Sequence, residues 1–340
     1  MVNFKNKSYR KIWIFLILFL FLNLTIINNS NICLGKTNKT LYVGGSGDQN
    51  YSSIQSAIDN ADDKDKIIVI NGIYKENIIL NKSINILGLG NPIIDGESKS
   101  YGLYLEKNNI NISGFVIKNS KTGIFISNPY EEGMININNN YLYNNTASIY
   151  IENNNYICNI NNNFFSDNSE AVRMYNSSNN LILNNVFLDH SSYAIFLWEQ
   201  SNNNNISGNV FNFTNGIVIK RWSNDNMIYN NFFYDGSIWI KHSYSNDIIA
   251  NELSGCGKSI VVEKSKYNNI SFNKIDNCEI GIYIINSEEN DFSSNFFSNN
   301  DQDIKERQKL PGFKTPGFEF LLLVFILLVF LLFKKKKIFT

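Results

Sequence analysis

Eight asparagines, Asn140, Asn163, Asn185, Asn209, Asn231, Asn251, Asn273 and Asn295, follow one another in steps of 23, 22, 24, 22, 20, 22 and 22 residues. Three residues before each stands an apolar side chain: Ile137, Ile160, Ile182, Ile206, Ile228, Ile248, Ile270 and Phe292. Two residues after each stands another: Leu142, Phe165, Phe187, Phe211, Phe233, Leu253, Ile275 and Phe297. Three columns in register over eight copies define a repeat, and a repeat of this period constrains the fold more than any other feature. Several copies open with a short alternating segment, as in Gly102-Leu103-Tyr104-Leu105, Gly123-Ile124-Phe125-Ile126, Ala194-Ile195-Phe196-Leu197, Gly216-Ile217-Val218-Ile219 and Gly281-Ile282-Tyr283-Ile284. Alternation at period two marks a half-buried strand, with the second and fourth residues facing inward. Short strands recurring every 22 residues or so, without helical periodicity, predict an all-β chain: a single-stranded right-handed parallel β-helix. Nine rungs over residues 101–302, stacked about 4.8 Å apart, give a rod of roughly 40 Å before its cap.

This architecture accounts for the 60 asparagines of the chain. A parallel stack sets the same position of successive rungs one above another, so a buried Asn column can hydrogen-bond amide to amide along the axis. Asn also tolerates the left-handed backbone of tight turns. The eight column asparagines are therefore structural. Residues 36–100 form the N-terminal cap and first turns. Residues 51–61 predict a short capping helix with Ile54, Ala57, Ile58 and Ala61 on one face behind a serine N-cap. Strands over residues 67–70, 76–80, 83–87 and 92–95 begin the solenoid, whose open end the helix plugs, as terminal units of solenoids must.

The formal net charge of zero is a sum over unlike parts. Residues 36–317 carry 22 basic and 29 acidic side chains, net −7, while the basic surplus sits at the two ends. That distribution argues against a nucleic-acid partner, and 44% hydrophobic residues exclude a disordered chain. Lys5, Lys7, Arg10 and Lys11 precede an apolar run over residues 12–22, the order of a secretory signal peptide or signal anchor within residues 1–35. At the other end, a linker over residues 303–317 leads to a hydrophobic segment and Lys cluster over residues 318–340. Residues 320–333 are apolar without interruption and Lys334, Lys335, Lys336 and Lys337 follow. Under the positive-inside rule those lysines stay cytoplasmic and the body lies outside. Pro316, Gly317 and Phe318, with a second copy at Pro311, Gly312 and Phe313, stand just before the apolar run. This tail resembles the PGF-CTERM signal of archaeal surface proteins. The resemblance implies cleavage near the motif by an archaeosortase-like enzyme and transfer to a lipid.

The runs Leu41-Tyr42-Val43, Ile54-Gln55-Ser56-Ala57-Ile58, Lys66-Ile67-Ile68-Val69-Ile70-Asn71-Gly72-Ile73-Tyr74-Lys75-Glu76, Asn81-Lys82-Ser83-Ile84 and Ile94-Asp95-Gly96 resemble the NosD-like, pectin-lyase-like family of right-handed β-helices. Together with the repeats the likeness spans residues 40–302. It implies the fold and leaves the activity open, since the family includes sugar hydrolases, epimerases, copper-insertion accessory proteins and adhesive surface proteins. Copper finds no support in the residues. His190 and His242 are 52 positions apart, and Met134, Met174 and Met227 have no ligand spacing. No metal site and no cofactor are expected.

Cleavage of acidic polysaccharide needs carboxylates on neighbouring rungs of one face. Asp167, Asp189 and Glu170 read as turn residues without a consistent column. The Asp-Pro-His-Asp motif of alginate epimerases is absent, with only Asn128-Pro129-Tyr130-Glu131 near it in pattern. No catalytic residue is assigned. More informative is the outward strand column Tyr104, Phe125, Tyr150, Arg173, Phe196, Val218, Trp239, Val261 and Tyr283, flanked by Trp198-Glu199, Lys220-Arg221-Trp222 and Lys241-His242. Aromatic faces along a rigid surface suit sugar rings, with charged groups for hydroxyls or carboxylates. Outward aromatics are also simply good strand formers. The candidate carbohydrate patch comprises Arg173, Phe196, Trp198, Glu199, Arg221, Trp222, Trp239, Lys241 and His242. Cys256 and Cys278 lie 22 residues apart, one rung, and form a candidate disulfide; Cys158 reads as a buried thiol. Nine N-x-S/T sequons between Asn38 and Asn269 permit glycosylation. The chain thus reads as a membrane-anchored protein on the extracellular face of the envelope, structural or adhesive, with a polysaccharide or glycan ligand. A polysaccharide lyase, hydrolase or epimerase is the second class, to be favoured by paired acids on adjacent rungs. A NosD-like copper-accessory protein is the third, to be favoured by converging His or Met.

Overall fold

Each rung contributes one strand to each of three sheets, so the chain winds into a parallel β-helix. The structure, a computed structural model, describes residues 38–127, 133–154 and 156–308. The expected leader, the Pro-Gly-Phe motifs, the apolar tail and residues 128–131 lie outside the described residues. Each of the three sheets has eleven strands, and every strand pair is parallel, as in Phe125 opposite Tyr104 and Tyr150. The first sheet runs from Thr40–Val43 to Asn269–Ser271, the second from Ile73–Tyr74 to Phe296–Ser298 and the third from Ile78–Leu80 to Gln302–Arg307.

The alternation predicted for the strands holds. Leu103 and Leu105, Ile124 and Ile126, Ile195 and Leu197 are fully buried, and the residues between them face outward. The apolar columns fill the interior. Phe165, Phe187, Phe211 and Phe233 stack ring on ring, with centroids 4.9, 4.8 and 4.4 Å apart and planes within 7° of parallel. The capping helix is shorter than the sequence suggested, Ile54–Asn60, because Tyr51 is held as a bridge partner of Val43. Ser53 is its N-cap and accepts from the Ser56 N–H at 3.2 Å. The Glu76 carboxylate accepts the Ile54 and Gln55 N–H groups at 2.9 and 3.0 Å, supplying acceptors to donors that a helix start leaves free. Ile54, Ala57 and Ile58 bury the inner face of the helix.

The asparagine column is a continuous hydrogen-bonded ladder. Asn163 donates through its backbone N–H and its Nδ2 to Asn185 Oδ1, at 2.8 and 3.1 Å. Asn185 does the same to Asn209, Asn209 to Asn231, Asn231 to Asn251 and Asn251 to Asn273. Each Nδ2 also reaches back to the carbonyl of the column isoleucine one rung earlier, as Asn209 does to Ile182 at 2.8 Å. Every amide therefore ties three rungs together and leaves none of its own polar atoms unpaired, the condition for burying it.

Two further ladders run parallel to this one, displaced five residues to either side. Asn180, Asn204, Asn226, Asn246, Asn268 and Asn290 form the first, again linked Nδ2 to Oδ1; Cys158 takes the same position and is fully buried. The second carries Asn145 and Asn168, then His190, Thr214, Gly236, Cys256, Cys278 and Asn300. Asn209→Leu is expected to strand the Asn185 N–H and the Ile182 carbonyl in the core. At about 1–3 kcal/mol per buried group left unpaired, urea unfolding should report a loss of roughly 2–6 kcal/mol.

His190 serves its ladder as a neutral imidazole. Its Nδ1 accepts the Asn168 N–H at 3.3 Å, and its buried Nε2 has no partner. Burial pushes its pKa down to about 4, and a protonated Nδ1 could no longer accept. The unfolded chain takes up this proton near pH 6.5 and the folded chain only near 4, so stability is full above 6.5 and declines as pH falls from there toward 4. His190→Asn, which restores the amide used on the two rungs before, is expected to flatten this decline. Melting temperatures at pH 7 and pH 4.5 should differ less in the variant than in the parent.

Candidate functional site

The outward face of the third sheet carries the residues picked out by sequence, and the strand register sets them in straight columns. Tyr104, Phe125, Tyr150, Arg173, Phe196, Val218, Trp239, Val261 and Tyr283 are successive Cα partners. One residue pair further along the strands runs a second column: Glu152, Tyr175, Trp198, Lys220, Lys241 and Glu263. The left-handed turn that follows holds Glu199, Arg221 and His242 on consecutive rungs, at φ of 49°, 56° and 49°. The same turn position is Asn153 and Asn176 on earlier rungs. Asn is the side chain such a turn favours, so the three charged or ionisable replacements bring chemistry to a place where the backbone asks for none.

Arg173 is the centre of the patch. Its guanidinium carbon lies 5.7 Å from the Tyr150 ring centroid and 5.8 Å from that of Phe196, and its Nε is 2.7 Å from Glu170 Oε2. Glu170 therefore belongs to a strand, Glu170–Tyr175, rather than to a turn as the sequence suggested. Trp198 stacks 6.0 Å from Phe196, meets Tyr175 edge-on at 5.3 Å and lies under the Arg221 guanidinium at 5.4 Å. Arg221 also pairs with Glu199 at 2.6 Å, and Lys241 with Glu263 at 2.8 Å. Among the described residues, Trp222 and Trp239 have no ring or cation contact and stand 54% and 40% exposed. Val218 and Val261, expected to face outward, are nearly covered by their larger column neighbours.

The His242 imidazole is held below its ordinary pKa by partial burial and by the Lys264 and Lys241 ammonium groups. At neutral pH it is uncharged and can both give and take a hydrogen bond. The face thus offers an aromatic shelf, two fixed guanidinium groups and mixed donors and acceptors, arrayed at the rung spacing.

A second polar surface was not legible as such in the sequence. Asp167 and Asp189, expected to lack a column, occupy the same left-handed turn on successive rungs, at φ of 53° each. The residues just before them, Ser166 and Leu188, are Cα partners. Both aspartates line a surface cavity of about 520 Å³ together with Lys121, Asn119, Asn144 and Ser169. The column was hidden because Asn, Asp and Phe alternate in it. Cys256 and Cys278 fall on adjacent rungs, as expected, and both are reduced in this structure; the Cys256 thiol donates to the Gly236 carbonyl, 2.8 Å away.

A winding three-sheet rod with stacked interior ladders defines a parallel β-helix protein. The family described as periplasmic copper-binding protein (NosD) matches residues 58–240 and 234–314, and the chain belongs to that family. It is 37% identical over 81 residues to a cell surface glycoprotein of Methanothermus fervidus. That stretch is 23% of this chain, and the chain spans only 14% of the relative's length. Among solved structures it is similar to the A-modules of two Azotobacter vinelandii mannuronan C-5 epimerases. AlgE4 superposes at a TM-score of 0.56 with 13% identity, covering 76% of this chain and 95% of that one. AlgE6 gives 0.52 and 14%, covering 76% and 91%. At such identities the likeness is one of fold.

The donors present do not fit a copper centre. His190 and Met174 are interior, each accepting a hydrogen bond from an asparagine N–H donor, whereas His242 sits on the rim of the third sheet. No group of three or more His, Cys, Asp or Glu among the described residues could hold a metal ion.

Trp198→Ala removes an edge contact, a stacking contact and a cation–π contact, each worth about 0.5–1.5 kcal/mol. It is expected to cost about 1.5–4.5 kcal/mol in chemical unfolding, while Trp222→Ala stays within about 0.5 kcal/mol. That contrast separates the aromatic that builds the shelf from the one free to meet a ligand.

Proposed function

We propose that the protein is an envelope component on the extracellular face of the cell, structural or adhesive, that binds carbohydrate along the outward face of its third sheet. The observation that carries this reading is the guanidinium of Arg173 set between the Tyr150 and Phe196 rings, with Trp198 and Arg221 repeating the pairing beside it. Flat apolar faces in register with charged groups match the alternating CH and OH surfaces of sugar rings. The similarity to a cell surface glycoprotein supports the location. So do the basic, apolar leader over residues 1–35 and the tail with Pro316, Gly317 and Phe318, which we read as a membrane anchor or archaeosortase-processed signal. On a glycan array, Trp222→Ala and Trp239→Ala, at the two exposed rings, are each expected to weaken retention of bound glycans at least tenfold. Unchanged binding by both variants rejects the proposal.

A second reading, polysaccharide lyase, hydrolase or epimerase, is favoured by one observation: Asp167 and Asp189 on successive rungs beside Lys121 in one cavity. Two carboxylates and a cation are the groups such chemistry draws on. The turn itself offers a simpler reason for the aspartates, since Asp adopts left-handed backbone more readily than most residues. If the cavity is catalytic, Asp167→Asn and Asp189→Asn each abolish product formation on uronate-containing polysaccharides while leaving array binding intact. No turnover by the parent protein removes this reading.

A further inference from the structure

Two thiols stand side by side near the C-terminal end of the rod, below the end of the outward face that carries Trp239. Cys256 and Cys278 take consecutive places in the ladder that holds Asn145, Asn168 and Asn300 elsewhere. Two residues earlier, Ser254 and Asp276 are Cα partners, and the Glu279 N–H donates to the Cys256 carbonyl at 3.0 Å. The two backbones are thus one rung apart, about 4.8 Å, inside the roughly 4.4–6.8 Å a disulfide spans.

The sulfurs differ in environment. On the Asn145, Asn168 and Asn300 rungs this position presents an amide oxygen to the N–H of the rung before, a strong acceptor. A thiol accepts poorly and a thiolate well. Cys278 Sγ receives the Cys256 N–H at 3.4 Å and the Ser259 hydroxyl at 2.9 Å, and lies 3.2 Å from the Asp276 carbonyl. Its contact with Cys256 and these two donors outweigh burial and hold its pKa below the ordinary thiol range. Cys256 is pushed the other way by the same contact and by burial; it keeps its proton and donates it to the Gly236 carbonyl at 2.8 Å. Cys158 is raised by complete burial. Cys256 lines a surface cavity of about 360 Å³ with Trp239, Lys258 and Glu279, although both sulfur-bearing residues are only 4–5% exposed. Only a small oxidant would reach them.

We propose that Cys256 and Cys278 form a reversible disulfide between adjacent rungs, made by a small peroxide entering through this cavity. The Cys278 thiolate attacks one peroxide oxygen; the O–O bond breaks, leaving a sulfenic acid on Cys278 and hydroxide, which leaves as water after taking a proton from solvent. The Cys256 sulfur then attacks the Cys278 sulfur. The S–S bond forms, the S–O bond breaks, and the departing hydroxyl takes the Cys256 proton as a second water. Two thiols are oxidised and one peroxide is reduced to two waters, and an exogenous dithiol returns the pair to thiols. The product links the ends of the strands Glu252–Ser254 and Lys274–Asp276, adding a covalent tie where the ladder has lost its amides.

The test is peptide mass mapping of the full chain after brief treatment with hydrogen peroxide, alkylation under denaturing conditions and proteolysis. A Cys256–Cys278 cross-linked peptide two hydrogens lighter than the sum of its parts is expected, with Cys158 still alkylated and Cys33 followed in its own peptide. Cys256→Ser should stop at a dimedone-trappable sulfenic acid on Cys278, and Cys278→Ser should give neither product. Ser120 and Thr214 already occupy this column, so both variants keep a side chain the ladder accommodates. The proposal is overturned if both cysteines of the parent stay alkylatable, if Cys158 is oxidised as fast as the pair, or if the thiols instead retain one soft metal ion that blocks the cross-link.

Discussion

Parallel stacking puts every residue above its counterpart one rung away, and the hydrogen bond between buried Asn side chains is what makes that stacking specific. A sheet ladder alone tolerates slippage, because each strand offers the same N–H and C=O groups at every register. The amide ladder does not. Asn209 Oδ1 must meet the Asn185 N–H while Asn209 Nδ2 meets both Asn231 Oδ1 and the Ile182 carbonyl, and a slip of one residue leaves all of these buried and unpaired. The stacked Phe165 to Phe233 rings fill space beside the ladder, but apolar contacts carry no comparable penalty for misalignment. Register is thus fixed from inside, which frees the outward positions from that duty.

That freedom governs how surfaces arise on this rod. An outward column takes one side chain from each rung, at constant spacing, so neighbouring groups meet whenever two consecutive rungs carry suitable residues. Arg173 lies between Tyr150 and Phe196 because those three are column neighbours, and Asp167 and Asp189 share a cavity for the same reason. A ligand with its own repeat, such as a glycan chain, is the natural counterpart of a surface built by translation. The NosD family fixes this scaffold, while the residues placed on it differ from those its copper-binding description would require.

Sequence alone disclosed the period, the first asparagine ladder, the inward columns and the aromatic face, because each is a same-letter or same-class match at a constant offset. The flanking ladders were just as regular, five residues to either side, yet escaped notice. One is asparagine on six consecutive rungs, Asn180 to Asn290, and was as legible as the central column; the other mixes Asn with His, Thr, Gly and Cys, so no single letter marks it. The Asp167 and Asp189 turn was missed for a related reason. Left-handed backbone accepts Asn, Asp or Gly and here even Phe213, so its column is defined by conformation rather than by residue type. The pairing of Arg173 with Glu170 and of Arg221 with Glu199 depends on rotamers, which spacing does not encode. Where the candidate patch was concerned, sequence gave position, and structure supplied partners.

The amide-to-amide bonds of the two asparagine ladders also run one way. In both, the Nδ2 on one rung donates to the Oδ1 on the next rung toward the C-terminus, from Asn140 to Asn163 and onward to Asn295, and from Asn180 through to Asn290. Aligned amide dipoles add rather than cancel, and bonds in such a chain polarise one another. The strand backbones lie across the axis and contribute little along it. The rod therefore has an electrical polarity independent of its formal charge, negative toward the capping helix and positive toward Gln302–Arg307. Lengthening the solenoid by whole rungs would deepen that polarity without adding a single ionised group.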